Sequence, residues 1–332
     1  MRGGRARAAA ICGAAAVAIL LPLALRQPTA RNTLVLMLML AQLGVAWNIL
    51  GGYAGQMSLG HAAFYGTGAY VSTALLLRLG ISPWLGMAAG AAAATALALV
   101  VGWPCFRLRG HYFAMATIAV GEIVQAIATN WDAIGGAVGL TLPVEERGLA
   151  GFVFNVSRLP YYYIALGLLA LTLLVNWAVV RSHLGYYFRA IKDEPDAARA
   201  LGVSLTRYKL AAIALSAALT AAGGTLYAQK ELYIDPGSVL STGLSIRISL
   251  AAILGGVGTI SGPVLGAVVL TGIDEASRTV FGGTGRGTDL VVYGLLIVLI
   301  ALFRPEGLVG LFRAPRRGQG AGRAGGAPGG TP

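Results

Sequence analysis

RSHLGYYFRAIKDEPDAARALGVSLTRYK, residues 181–209, is the longest charged stretch that lies between two strongly apolar runs of this chain. Its middle has the features of a short helix. Asp193 or Glu194 can cap the start, Pro195 suits the first helical position, and Gly202 suits a left-handed stop. A helix of about seven residues is only ~10 Å long and is marginal alone in water. We therefore expect this segment to pack on its own protein or to dock a partner.

The runs on either side of this segment are long enough to cross a membrane. Arg158 and Arg181 are separated by 22 uncharged residues, and Lys209 and Lys230 by 20, whereas a span needs about 20 apolar residues. The whole chain is 56% hydrophobic and 11% charged, against about 25% charged residues in soluble domains. Its 48 glycines suit helices that approach closely in lipid. The composition therefore predicts an all-α polytopic membrane protein.

The charge-free intervals predict about ten transmembrane helices. The first resembles a signal peptide but is as long as a full span, so we expect a retained helix. The eighth and ninth share only 26 uncharged residues, so one or both are half-helices, or Arg247 and Asp274 lie near the interfaces. The helices are placed near 8–25, 33–50, 61–79, 84–106, 111–130, 161–180, 207–229, 243–259, 262–280 and 288–303.

The cationic residues predict the orientation of these helices. With the N-terminus inside, sixteen Lys and Arg residues fall on one side and eight on the other, with Arg247 inside a span. This bias places both termini and the 181–209 segment in the cytoplasm. It also explains the net charge of +12 by topology, so no nucleic-acid partner is expected. We predict one permease domain, 1–312, followed by a disordered cytoplasmic tail, 313–332, which is rich in Gly, Pro and Arg.

Polar groups inside the apolar runs are candidates for a passage. The glycine-dense segment 48–70, NILGGYAGQMSLGHAAFYGTGAY, is either a close helix contact or a broken segment that lines a passage with its polar side chains. Glu122 and Arg247 lie within predicted spans, where a charge costs about 2.5–3.5 kcal/mol. We expect them to pair with each other or to face water. The pathway candidates are Gln56, Ser58, His61, Glu122 and Asn130.

The sequence carries no positive sign of an enzyme. An ATP-binding P-loop requires Gly-Lys, but Lys192, Lys209 and Lys230 follow Ile, Tyr and Gln. There is no nucleophile elbow and no HExxH motif. The three histidines occur singly, and both cysteines lie in apolar runs. We therefore predict no catalytic residue, no metal site and no cofactor bound by this chain.

Several long motifs, in order, resemble the LivM-type permeases of bacterial branched-chain amino acid ABC importers. They are GGYAGQMSLGHAAFYGTGAY (51–70), RGHYFAMATIAVGEIV (109–124), GYYFRAIKDEPDAARALGVSLTRYKLAAIALSAALTAAGGTLYA (185–228) and the stretch 253–263. The resemblance covers roughly residues 40–312 and implies a multi-pass protein of the bacterial inner membrane. It implies a LivH-type second permease, two cytoplasmic ATPases that use ATP and Mg²⁺, and a periplasmic substrate-binding protein as partners.

The resemblance also implies that a cytoplasmic coupling helix contacts an ATPase. The matching positions run from Arg189 to Leu205. This chain departs from the family pattern at Val138, where Asn is usual, and at Arg247, where an acidic residue is common. The expected cargo is a branched-chain or other neutral amino acid; the alternatives are urea, short amides or sugars, or a stand-alone ion-coupled transporter. The ATPase-coupling residues implied are Arg189, Asp193, Glu194, Ala198, Arg199, Leu201 and Gly202.

Overall fold

A computed structural model describes residues 16–23, 27–108, 110–143, 159–280 and 307–312, with positions 13, 152, 154, 294, 295 and 298. The described part is all-α apart from one antiparallel pair of two-residue strands, β1 (Leu140–Thr141) and β2 (Tyr233–Ile234). Residues 16–23 of the predicted first helix and 294, 295 and 298 of the predicted tenth are helical; the rest of the tenth lies outside the described residues, as does the predicted tail 313–332.

Twelve helices are labelled in chain order within the described ranges. The helix Pro28–Asn48, labelled α1, continues directly into a π-helical turn, Ile49–Tyr53. They are α1 Pro28–Asn48, α2 His61–Leu79, α3 Pro83–Cys105, α4 His111–Thr129, α5 Leu159–Arg181, α6 His183–Asp193, α7 Pro195–Ala200, α8 Leu205–Glu231, α9 Pro236–Val239, α10 Thr242–Gly255, α11 Gly262–Val280 and α12 Val309–Phe312.

Six helices in the described ranges are long and apolar enough to cross a membrane: Pro28–Tyr53, Pro83–Cys105, His111–Thr129, Leu159–Arg181, Leu205–Glu231 and Pro236–Gly255. Tryptophans mark both ends of one of them. Trp84 and Trp103 of α3 are exposed and are 19 residues apart, which is about 28 Å along a helix. That separation matches the ~30 Å hydrocarbon core of a bilayer, whose two interfaces favour tryptophan.

The centre of the bundle is held together by close approaches between small residues. Helix α8 packs against α1, α2 and α3. A side-chain carbon added at Gly68 of α2 would lie 2.2 Å from the Ala221 carbonyl oxygen, and one at Gly224 would lie 2.0 Å from that of Tyr65. These distances leave no room for any side chain, so glycine lets the backbones meet here.

The helix connections fall into two groups at opposite ends of the bundle. At one end, the strand pair joins 140–141 to 233–234, and Arg78 donates a hydrogen bond to the Ala133 carbonyl. At the other end, Lys192 donates to the Gly52 carbonyl, and Asn48 bonds to the connection between α10 and α11. We call this second group the coupling end.

Candidate functional site

The predicted coupling segment is two helices at the coupling end. The sequence indicated only the shorter one; α6 was missed, although its amphipathic pattern was readable. Gly185, Phe188 and Ile191 recur about every three residues and are all buried, while Tyr186 on the opposite side is 71% exposed. Helix α6 therefore lies flat against the bundle on its apolar side.

Helix α7 follows after a bend at Glu194. Pro195 occupies the first helical position as predicted, but the side-chain cap expected from Asp193 or Glu194 does not form. The predicted stop is confirmed. Gly202 has φ +84°, and the Val203 amide donates to the carbonyl of Ala198, which is the backbone closure typical of a left-handed helix end.

The outer surface of α7 projects away from the bundle. Ala198 is 4% exposed and forms its inner contact, whereas Leu201 is 86% exposed. Asp193, Glu194 and Arg199 are exposed as well. A large apolar side chain of this kind gains about 1.5–3 kcal/mol when a partner covers it.

Arg189 has a different position from the other coupling candidates. Its guanidinium donates to the Val180 carbonyl at 2.8 Å and to the Gly185 carbonyl at 3.2 Å. The first of these carbonyls belongs to the last turn of α5, where a positive charge is favoured by the helix dipole. Arg189 therefore fixes α6 to the end of α5.

The glycine-dense segment is a helix that breaks and turns back into the protein. After the π-helical turn, residues 54–60 are irregular and α2 begins at His61. The indole nitrogen of Trp47 donates to the Ser58 carbonyl at 2.7 Å, so Ser58 returns to the level of Trp47 within α1. Irregular backbone at membrane depth is tolerated where it is buried in protein.

A buried polar chain fixes the returning segment. His61 Nδ1 is 3.1 Å from Ser58 Oγ, and Nε2 is 2.9 Å from Ser216 Oγ on α8. The Ser216 hydroxyl donates its one hydrogen to the Ala46 carbonyl at 2.8 Å, so Nε2 must donate, and in the neutral imidazole Nδ1 then accepts from Ser58. His61 thus bridges α2 and α8. Spacing alone did not reveal Ser216 as its partner.

The five pathway candidates do not form one cluster. Ser58 and His61 are fully enclosed, and Gln56, two residues earlier, is partly exposed and donates to the Ala54 carbonyl. Glu122 lies on the exposed side of α4 and accepts from the Thr242 hydroxyl. Asn130 is exposed and donates back to Ala126 at the end of the same helix.

The predicted pairing of Glu122 with Arg247 is wrong. Arg247 forms an ion pair with Asp274 of α11, because α10 and α11 pack side by side through Gly255, Gly262 and Gly266. Arg247 and Asp274 border a cavity of about 820 Å³ between α1, α8, α10 and α11. The two charges therefore border a cavity, which agrees with the alternative expectation that Arg247 faces water.

No metal or redox centre is seen among the described residues. No group of three His, Cys, Asp or Glu side chains comes together in the described ranges. Cys105, the one described cysteine, is buried and free, whereas Cys12 lies outside the described residues.

Sequence comparison identifies similar proteins. A family model described as "Branched-chain amino acid transport system / permease component" matches residues 29–301. The high-affinity branched-chain amino acid transport system permease protein LivM of Salmonella typhimurium is 29% identical over 293 residues, which cover 82% of this chain and 68% of the relative. BraD of Pseudomonas aeruginosa, described in the same words, is 28% identical over 288 residues, or 81% and 91% of the two chains. No solved structure matches.

Proposed function

The chain belongs to the family of branched-chain amino acid transport permeases, and on that premise we propose that it is one membrane subunit of an ATP-driven bacterial importer. The cargo is a branched-chain or other neutral amino acid. Its partners are a homologous LivH-type permease, two cytoplasmic ABC ATPases that use ATP and Mg²⁺, and a periplasmic binding protein. A relative at 27% identity is itself the LivH permease of Escherichia coli, which supports a pair of homologous subunits.

The observation that carries this proposal is the exposed surface of α7 with Leu201. This surface contains five of the seven residues that the family resemblance assigns to ATPase contact, and all five are exposed: Asp193, Glu194, Arg199, Leu201 and Gly202. A partner that docks here therefore meets an apolar side chain on a segment that also carries charges. Arg189 supports this surface by joining α6 to α5.

The distribution of cations supports the orientation. The coupling end gathers Arg107, Arg181, Arg189, Lys192, Arg199, Arg207 and Lys209, and the opposite end of the described bundle has Arg31, Arg78, Lys230 and Arg278. Two of the arginines stack on exposed tryptophans, Arg107 on Trp103 and Arg181 on Trp177, at 4.5 and 4.3 Å. We therefore assign the coupling end to the cytoplasm, with about ten spans and both termini inside, in the inner membrane.

Transport follows from movement of the coupling helices. Closure of the ATPases pushes on α7, and α5 and α8, which flank the coupling segment in the chain, tilt with it. The passage then switches from the periplasmic side to the cytoplasmic side. In this scheme Gln56 and Glu122 contact the passing solute, and Asn130 lies at the outer end of the passage. Ser58 and His61 hold the broken segment that borders the passage.

Reconstitution tests the proposal directly. The four kinds of subunit are assembled in proteoliposomes with ATP on the ATPase side, and uptake of radiolabelled leucine from the binding protein is measured. Uptake should require both ATP and the ATPases. Ion-driven uptake by this chain without the ATPases would refute the importer reading and favour an ion-coupled transporter that uses Glu122 and Arg247.

The binding protein tests the cargo separately. Its affinities for leucine, urea, acetamide and ribose are measured by calorimetry, and the best ligand is then used in the uptake assay. Micromolar or tighter binding of a neutral amino acid is expected. Exclusive binding of urea, an amide or a sugar would keep the importer class and change the cargo.

A further inference from the structure

Lys192 reaches from the coupling segment to the broken helix. Its ammonium donates a hydrogen bond to the Gly52 carbonyl at 2.9 Å. Its stem lies on Gly55, where an added side-chain carbon would be 2.9 Å from Lys192 Cγ. Gly55 also has φ +68°, a conformation that glycine adopts readily. The Lys192 side chain therefore contacts the broken helix both through its stem, at Gly55, and through its ammonium group, at Gly52.

The turn that Lys192 holds is connected to a third part of the chain. Asn48 lies one turn before Gly52. Its side-chain oxygen accepts a hydrogen bond from the backbone N–H of Gly258 at 2.8 Å, and its side-chain nitrogen donates to the Thr259 carbonyl at 2.9 Å. Asn48 is fully buried. The π-helical turn therefore contacts both Lys192 and the connection between α10 and α11. These two groups also lie close together, because a side-chain carbon at Gly258 would be 3.2 Å from the Gly52 carbonyl oxygen and 3.4 Å from Lys192 Nζ.

Gly52 makes this junction tight. A side-chain carbon there would lie 1.9 Å from Asn48 Oδ1 and 2.8 Å from the Gly258 nitrogen. The backbone of Gly52 therefore packs directly against both groups and leaves no room for a side chain. A π-helical turn is an uncommon conformation that frequently occurs at functional sites.

From this junction we propose that Lys192 is a positioning residue that transmits movement of the coupling helices to the broken helix and to the α10–α11 connection. The inference rests on the proposed function and adds a route to it. The chain already links α6 and α7 covalently to α5 and α8. Lys192 adds a direct hydrogen bond to Gly52, 140 residues earlier in the sequence. Through Asn48, that turn is also bonded to Gly258, which follows Lys192 in the chain.

The test removes the ammonium and keeps the stem. Lys192→Met retains the apolar contact with Gly55 and loses the bond to Gly52, whereas Lys192→Arg retains a donor. Lys209→Met is the matched control, because Lys209 is a cation at the same end that lies over the Phe106 ring. Each variant is assembled with wild-type partners, and three quantities are measured: affinity for the ATPase, ATP hydrolysis, and leucine taken up per ATP.

We expect K192M to bind the ATPase with a Kd within about twofold of wild type and to lose about tenfold in leucine uptake per ATP. K192R should recover part of the loss, and K209M should stay near wild type. Equal coupling in K192M and K209M would overturn the proposal. Failure of K192M to assemble would overturn it as well, since the lysine would then hold the fold rather than transmit motion.

The wild-type complex separates this inference from the proposed function. Absence of ATP-dependent uptake by the wild type refutes the importer reading itself. Normal uptake by both wild type and K192M refutes only the role of Lys192.

Discussion

Truncation of Leu201 should weaken ATPase binding without weakening the fold. The side chain is 86% exposed in this chain, so almost all of its apolar surface is available to a partner. Leu201→Ala keeps only the β-carbon and should cost about 2 kcal/mol of binding free energy, or about 30-fold in Kd, at ~0.8 kcal/mol per buried methylene. Stability of the isolated subunit should change by less than about 0.5 kcal/mol, as is usual for surface positions.

The assay is titration of the purified ATPase onto the permease in nanodiscs, read by interferometry, with thermal unfolding measured in parallel. Leu79→Ala is the matched control, because Leu79 is 66% exposed but lies at the end of α2 away from the coupling end. Leu201→Asp should weaken binding further than Leu201→Ala. An unchanged Kd for Leu201→Ala, or equal losses for Leu79→Ala, would refute docking at α7.

Three further perturbations test the packing and the polar contacts by thermal unfolding in detergent. Gly224→Ala should destabilise by about 3 kcal/mol because the added carbon meets a backbone oxygen; Gly167→Ala, which enters open space on α5, should not, and equal effects would contradict the close helix contact. His61→Phe should cost about 1–3 kcal/mol, because Ser58 loses the acceptor of its hydroxyl hydrogen and Ser216 loses the donor to its oxygen; no loss would count against the bridge. Arg247→Met and Asp274→Asn should each destabilise modestly, with a coupling energy of about 0.5–1 kcal/mol in the double variant; strict additivity would show that the pair does not interact.

The elements that the sequence predicted well are those set by local chemistry. Uncharged runs of about 20 residues gave α3, α5 and α8 nearly to the residue, because solvation of charge sets their ends. Pro195 and Gly202 bounded α7 through backbone restrictions that need no tertiary information. The capping prediction failed at Glu194, since a suitable side chain does not dictate where it points.

Contacts across the bundle were beyond what the sequence could predict. By residue type, Arg247 could pair with either Glu122 or Asp274. Only the packing of α10 on α11 places Asp274, and not Glu122, beside it. His61 was singled out by residue type, but its bridge to Ser216 spans 155 positions. From the sequence, Lys192 was only one of the sixteen cytoplasmic cations and a lysine without the glycine of a P-loop, because its partner is a backbone carbonyl that no motif marks.

The hydrogen bonds at the Gly52 junction are made to main-chain atoms, and this has a consequence for the comparison of related sequences. Lys192 meets a carbonyl, and Asn48 meets an amide and a carbonyl, groups that nearly every residue type supplies. Correlated substitution between the two ends of each bond is therefore not expected, and methods that infer contacts from paired changes will overlook it. Size should be restricted instead: position 52 should tolerate no side chain, while the identity of its neighbours drifts.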